Sequence, residues 1–553
     1  MPKLTKSQYQ RFKLITAVLT VGIISLVQPG CDCSSSNGDT SAPTAVTATS
    51  PLSNSTTSLV TTDVHAVFRD EMDGATVESA FTLTVNSNLV SATVKYDETT
   101  QTATLTPAAD LLSDAEYRAT IASSVKDING NSPLTSDYIW TFTTSPAMQL
   151  VSKNLNGVTS NDLTQNADID ATGRYVVFES ESNILVNTST TLNRSHIYRK
   201  DTVTGEVLLV SSDKSGLVEA NNHAYNPSIS SNGRYVVFQS IANNLDGNTN
   251  GNQQIYLKDL DTNDIVIASR NISGVPDNGI SGASNANVSD DGRYVMFQTN
   301  DAAMSALNSG NVQIYMKDLS AGTVEMISRT NAGAAGNAPS NNPDMNTDGA
   351  HIVFESMATN LTSSTSQNHI YYVDRSVVHN VEQISVTSIG TDANADSFNP
   401  SVSDDGSTIV FDSTATNLDE LDNNGVSDIY LRHRPSTFTK MISANPNTSA
   451  SGNAASSNAH ISGNGDYVVF ESRASDLASG SALNITGIYV RNLSAWPEIV
   501  INKLDIPAST RDSNGPAIST DGRYVSFDSV ESFTVDDTDT LRDIFRAHNS
   551  TRP

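Results

Sequence analysis

One short run constrains this chain more than anything else in it. Gly-Arg-Tyr-Val-Val-Phe at 233–238 recurs in seven variants, with its glycine at 173, 233, 292, 349, 406, 465 and 522. Successive copies therefore lie 57 to 60 residues apart. A comb of that period requires a repeat architecture, in which each copy is one unit that buries its apolar faces by stacking on its neighbours.

Each copy carries four strand-length segments separated by turn residues such as Asp404-Asp405-Gly406. The first is a run such as Asn226–Ser230, and the second is the Gly-Arg-Tyr-Val-Val-Phe run itself. The third carries an Ile-Tyr pair (Ile255-Tyr256, Ile429-Tyr430; Ile544-Phe545 in the last copy). The fourth is an aliphatic run ending in serine, such as Val324–Ser328. Four antiparallel strands per repeat make the blade of a β-propeller. The last copy has no fourth run, but Met148–Ser152 precedes the first copy as an orphan of that kind. Ser152 stands five residues before Gly157, the offset also seen at Ser211/Gly216, Ser269/Gly274, Ser328/Gly333 and Ser385/Gly390. The orphan is expected to complete blade seven and close the ring, removing the open sheet edges.

The pattern Asn-Pro-x-Ile-Ser-x-Asp-Gly-x-x-x-Val-Phe-x-Ser followed by Asp-Ile-Tyr, approached by Asn399–Ser413 with Asp428–Tyr430, resembles TolB-like propeller repeats. The resemblance covers 148–553. Such repeats occur in periplasmic partners, surface proteins and peptidase accessory domains, so they specify a fold and leave the function open.

Ahead of the repeats, residues 44–145 read as short strands, at Val64–Phe68, Phe81–Val85, Ser91–Tyr96, Thr102–Thr106, Tyr117–Ile121 and Tyr138–Thr143. Turn clusters at Asp70–Gly74, Asp97–Thr100 and Asp127–Pro133 separate them, the pattern of a β-sandwich. Phe68–Asp73, Tyr96-Asp97, Leu105–Pro107, Val125–Asn131 and Trp140–Thr144 resemble the bacterial Ig-like domain of surface-layer and other exported proteins. That resemblance implies a spacer or adhesive module. Asp127, Asn129 and Asn131 are either cation ligands or an Asx-held turn. The expected fold is all-β, an Ig-like β-sandwich followed by a seven-bladed β-propeller closed by an N-terminal strand.

Residues 1–30 read as a secretory signal, with a basic start (Lys3, Lys6, Arg11) and an apolar run at Leu14–Val27 too short to span a bilayer. Cys31 follows at once and resembles the lipidated cysteine of bacterial lipoproteins, although Gln28 stands where an aliphatic residue is usual. Residues 31–43 form a small, polar linker. Cys31 and Cys33 are the only cysteines, so no disulfide is available to the folded regions. The formal charge of −28 argues against nucleic acid and anionic lipid surfaces as partners, leaving a lipid anchor as the route to a membrane.

Candidate chemistry lies mostly in repeated positions. An asparagine stands seven residues before six of the glycines, at 166, 226, 285, 342, 399 and 458, with Gly515 at the seventh place. These residues are either a ring of amides at one mouth of a channel or turn caps where each blade begins. After each phenylalanine comes Glu179, Gln239, Gln298, Glu355, Asp412, Glu471 or Asp528, either a cation-attracting ring or solvated strand ends. Oxygen-rich loops at i, i+2, i+6 precede the Ile-Tyr pair in three copies: Asn248, Asn250, Gln254; Asp422, Asn424, Asp428; and Asp537, Asp539, Asp543. Blades five and seven are the better calcium candidates, by the mixed-oxygen chemistry of that ion. His196 and His369 share a blade position, which favours a structural role. His223, His460, Trp496 and Arg511 break the repeat and are the candidates for ligand contact. No HExxH, Gly-x-Ser-x-Gly or phosphate-binding glycine loop is present. Two functions are therefore expected: an exported scaffold that binds an envelope protein or glycan without catalysis, or a propeller-based extracellular polysaccharide lyase or hydrolase.

Overall fold

The computed structural model describes residues 45–549 apart from 56–57, 59, 61, 145–146, 188–189, 192, 247–249, 280–281, 309, 363, 377–378, 479–480, 482–483, 495–499, 505–510 and 538. No helix among the described residues is long and apolar enough to cross a membrane.

The first part is a sandwich of two four-stranded antiparallel sheets. One is ordered Val46–Ser50, Val64–Phe68, Thr102–Pro107, Ala92–Asp97; the other Asn88–Leu89, Phe81–Val85, Glu116–Ile121, Tyr138–Thr143. Period-two burial, as along Val64–Phe68, sends alternate side chains inward. Phe81 meets Trp140 at 5.7 Å between ring centroids, and Tyr117 stacks on Phe142 at 5.6 Å. The sequence reading places only a turn at Asp70–Gly74. The chain instead continues into a helix, Gly74–Ala80, capped by Asp73, whose carboxylate accepts from the N–H of Ala75. Seven residues are too few for helical periodicity to stand out.

Seven four-stranded sheets follow, each antiparallel and in sequence order except the last. Blade one is Thr164–Ile169, Tyr175–Ser180, His196–Asp201 and Val207–Leu209. Blade seven is Ser513–Ile518, Tyr524–Ser529, Asp543–His548 and, from the start of the repeats, Met148–Leu150. Leu150 pairs with Phe545 and Gln149 with Arg546, so the orphan strand closes the ring. Ile544 N–H donates to Ser152 Oγ at 3.0 Å, extending the seam.

The repeated run is apolar because a second strand has a blade on each face. Val236 and Phe238 share a cluster with Val177 of blade one, while Val237 packs with Val295 and Phe297 of blade three. Each fully buried side chain of this kind contributes ~1.5–3 kcal/mol. Gly233 makes the turn between the first two strands at φ +73°, and the Tyr175 ring of the preceding blade lies where its Cβ would stand. Tyr524 covers Gly173, Tyr235 covers Gly292 and Tyr467 covers Gly522 in the same way. The arginine of the run pairs with the end of the third strand, Arg174 with Asp201, Arg234 with Asp259 and Arg293 with Asp318, each at 2.7 Å.

Candidate functional site

The first strands of all seven blades enclose a central cavity of about 600 Å³. The repeated asparagines form a belt around it. Asn166, Asn226, Asn285, Asn342, Asn399 and Asn458 all have left-handed backbones, with φ between 45 and 53°, and Gly515 has φ 59°. At this point the pairing of each first strand with its second shifts by one residue. The belt is thus a ring of β-bulges, and asparagine and glycine are the residues that tolerate the left-handed position. It lies within the first strands, not at turns where the blades begin. The side chains join blade to blade. Asn166 Nδ2 donates to Asn226 Oδ1 at 3.1 Å and Asn285 Nδ2 to Asn342 Oδ1 at 2.7 Å. Asn342 reaches Asn399, and Asn399 reaches Asn458, both at 3.3 Å.

The acidic ring lies behind this belt, and it is not a set of solvated strand ends. Glu179, Glu355, Asp412, Glu471 and Asp528 are buried. The bulge turns a backbone N–H of one blade toward the carboxylate of the blade before. Asn226 N–H donates to Glu179 Oε2 and Asn399 N–H to Glu355 Oε2, both at 3.0 Å, and Gly515 N–H to Glu471 Oε1 at 2.7 Å. In blade three Gln298 plays the same part, accepting from Asn342 N–H at 2.9 Å. The amide of Asn399 also donates to Asp412 Oδ2 at 3.0 Å, leaving Asp412 Oδ1 without a partner. Burial raises the carboxyls of Glu355 and Glu471, and raises Asp412 to about 7. Asp528 is also raised to about 7 by burial, against the pull of its ion-pair partner Arg542.

One residue pair further along, the cavity wall stops being repetitive: Asp168, Ser228, Asn287, Asp344, Ser401, His460 and Ala517 stand at one position of successive blades. The two acids are again used between blades, Asp168 accepting from Ile229 N–H at 2.9 Å and Asp344 from Val402 N–H at 3.1 Å. Burial raises both, Asp344 to about 6. His460 is open to the lumen, and enclosure by the wall lowers its imidazole to about 4. No hydrogen bond or ion pair joins it to a carboxylate among the described residues.

The other candidates are not gathered here. His223 Nδ1 accepts from Ser195 N–H at 3.1 Å, and its ring stacks on Tyr225 at 5.6 Å. Arg511 is exposed and donates to the Val530 carbonyl at 3.1 Å. Trp496, Cys31 and Asn248 lie outside the described residues. Asp127 Oδ1 accepts from the N–H groups of Asn129 and Asn131 at 2.9 and 2.8 Å, an Asx-held turn. In blade five Asn424 Nδ2 donates to Asp428 Oδ2 at 3.0 Å, and the Tyr430 hydroxyl donates to Asp422 at 2.6 Å. In blade seven one oxygen from each of Asp537, Asp539 and Asp543 lies within 4.8 Å of the others.

A feature that sequence reasoning missed rims the face opposite the glycine turns. Before the first strand of blades one, two, four, five and six an exposed asparagine amide reaches a side chain just after the second strand of its blade. Asn161 meets Asn183 at 2.9 Å, Asn337 meets Thr359 at 3.0 Å, Asn394 meets Thr416 at 3.1 Å and Asn453 meets Ser475 at 2.9 Å. The signal was present as an asparagine five residues before five of the six belt asparagines, at 161, 221, 337, 394 and 453.

Residues 39–144 match the family model of the bacterial Ig-like domain. No curated protein matches the sequence. Among solved structures the chain is similar to the putative TolB from Agrobacterium tumefaciens at 17% identity, covering 53% of this chain and 87% of that one with a TM-score of 0.32. It is similar to TolB from Acinetobacter baumannii at 15% identity, covering 74% and 87% with a TM-score of 0.34. The β-propeller domain of the Trilobed protease from Pyrococcus furiosus shares 12% identity, covering 71% of this chain and 97% of that one with a TM-score of 0.43. The neighbours are propellers, and the blade count comes from the seven sheets themselves.

Proposed function

We propose that the chain is an exported scaffold of the bacterial envelope whose propeller binds an envelope protein or glycan without catalysis. The observation that carries this reading is the use made of the cavity's polar groups. The asparagine belt and the buried Glu179, Glu355 and Glu471 use their hydrogen bonds to hold blade to blade. What remains for a partner is the face opposite the glycine turns, with its rim of exposed amides and hydroxyls. Amide and hydroxyl pairs both donate and accept, which suits sugar hydroxyls and peptide backbone alike. The glycine-turn face is the one on which the sandwich docks, through Tyr524 and Arg523. A signal at 1–30 and a lipid on Cys31 would place this arrangement at the periplasm or cell surface.

A lyase or hydrolase would draw on Asp168, Asp344 and His460, the ionisable members of the asymmetric tier. General acid–base work needs a pair free to move a proton, and both acids are held by backbone N–H groups. The test is binding of the mature chain to a glycan array and to purified envelope proteins, with Asn337→Ala, Asn394→Ala and Asn453→Ala combined. Binding that the triple variant loses supports the reading. Binding unaffected by it, or no binding in any arm, counts against it.

A further inference from the structure

The residue just before the Ile-Tyr pair is a polar plug in nearly every blade. It is His196, Gln254, Gln313, His369, Asp428, Gly487 and Asp543 in order. Outside blade six its inner end meets the serine that ends the fourth strand. Gln254 Oε1 accepts from Ser269 at 2.8 Å, Asp428 Oδ1 from Ser443 at 2.6 Å and Asp543 Oδ1 from Ser152 at 2.5 Å. Its outer end faces a nest of oxygens formed by the loop between strands two and three and the start of the next blade.

In five blades a side-chain nitrogen fills that nest. His196 Nε2 lies 3.1 Å from Glu219 Oε2. Gln254 Nε2 donates to the Asp277 carbonyl at 2.9 Å, and Gln313 Nε2 to the Gly336 carbonyl at 3.0 Å. His369 Nε2 meets Thr365 Oγ1 at 2.8 Å. In blade five the plug is an acid, and Asn424 supplies the nitrogen, donating to Asp428 at 3.0 Å and to the Gly452 carbonyl at 2.7 Å. In blade six Gly487 brings no side chain.

Among the described residues, blade seven has the oxygens and no side-chain nitrogen in that place. Asp539 stands where blade five has Asn424, and Phe545 where it has Tyr430, whose hydroxyl satisfies Asp422. Asp537, Asp539 and Asp543 converge within 4.8 Å. Asp543 is 0% exposed and Asp537 6%, yet Asp543 Oδ2 and Asp537 Oδ1 have no hydrogen-bond partner. No Lys, Arg or His among the described residues ion-pairs with any of the three. The nearby cations are engaged elsewhere, Lys153 with Asp536 and Arg542 with Asp528. Buried, unpartnered carboxylate oxygens are costly unless a positive charge meets them.

We propose that Asp537, Asp539 and Asp543 bind one hard divalent cation of the calcium class, which takes the place of the nitrogen present in blades one to five. Calcium accepts carboxylate oxygens and completes its shell with water. The site joins the loop of blade seven to the seam that closes the ring, because Asp543 also holds Ser152 and Ser160, the latter at 2.8 Å.

The test uses the full-length mature chain, melted by calorimetry in chelator and in excess calcium, with terbium luminescence as a direct probe of occupancy. Wild type should bind one ion in this loop and melt several degrees higher with calcium. Asp539→Asn installs the amide of blade five, and Asp543→Gln the plug of blades two and three. Both should melt in chelator at or above the wild-type temperature and lose the calcium shift. Asp422→Asn, in blade five, should keep it. A wild-type melting curve unchanged by calcium would overturn the proposal, as would a full calcium shift or terbium signal retained by both blade-seven variants.

Discussion

The hydroxyl of Tyr524 accepts a hydrogen bond from the backbone N–H of Val60 at 3.0 Å, tying the ring-closing blade to the sandwich. Arg523 beside it shows how the docking site arose from the repeat. In blades one to three the arginine of the run pairs with an aspartate opposite the following tyrosine, Asp201, Asp259 or Asp318. In blade seven that register position is His548. Asp110 of the sandwich provides the carboxylate instead, 3.4 Å from both Arg523 and His548. Tyr524→Phe leaves a buried N–H without an acceptor, at a cost of about 1–3 kcal/mol. The sandwich of the variant should become protease-sensitive at a lower temperature than the propeller. Asp110→Ala, which breaks a partly exposed pair, should cost no more than about 1 kcal/mol. Equal protease resistance of wild type and Tyr524→Phe would remove the role assigned to this bond.

Ring closure predicts a large effect from a small deletion. Removing residues 148–153 exposes the edge of Asp543–His548 and takes away Leu150, which is 1% exposed in the blade-seven core. Loss of the leucine alone is worth about 2–5 kcal/mol. The melting temperature should fall and the chain should associate through its open edge. An unchanged melting curve would contradict the closure.

Two glycines with similar backbones should respond differently to alanine. Gly233 has φ +73° and the Tyr175 ring 2.4 Å from its would-be Cβ, whereas Gly274 has φ +77° and open space. Gly274→Ala should cost roughly 1 kcal/mol from its backbone alone. Gly233→Ala must also displace the tyrosine from the neighbouring blade, adding about 1–3 kcal/mol. Chemical denaturation of both variants measures the difference.

The buried acids make stability depend on pH in a definite direction. Asp412 has a folded-state pKa of about 7, above its unfolded value of 3.8. Between those values the folded state holds a proton that the unfolded state has released, so stability falls as pH rises from about 4 to 7. Asp412→Asn, which needs no proton, should gain about 4 kcal/mol over wild type at pH 8, less at pH 5, and nothing below about pH 3, where the unfolded carboxyl is also protonated. His196, lowered to about 4 by burial, acts in the opposite sense, so the variant and not the wild-type curve isolates the effect. Parallel stability profiles of variant and wild type would show that Asp412 is charged in the fold.

Much of the architecture was legible from counting. Seven glycines and one orphan run at Met148–Ser152 specify a closed ring, because a fourth strand missing at one end and spare at the other has one place to go. The left-handed belt was also legible in principle, since Gly515 takes the place of an asparagine at that position alone. The burial of the acids was not. Glu179 and Glu355 finish a second strand, where exposure is the ordinary expectation, and the N–H groups that satisfy them come from the next blade. The cation loops looked alike in blades five and seven. Asn424 against Asp539 and Tyr430 against Phe545 separate them only once their partners are seen in space.

The central claim is that the polar groups of the channel serve binding architecture and not turnover. Its most direct measurement is chromatographic detection of product from envelope and extracellular polysaccharides incubated with the intact chain and with Asp344→Asn combined with His460→Leu. No product is predicted from either protein. Product released by the wild-type chain and abolished in the double variant would contradict the account.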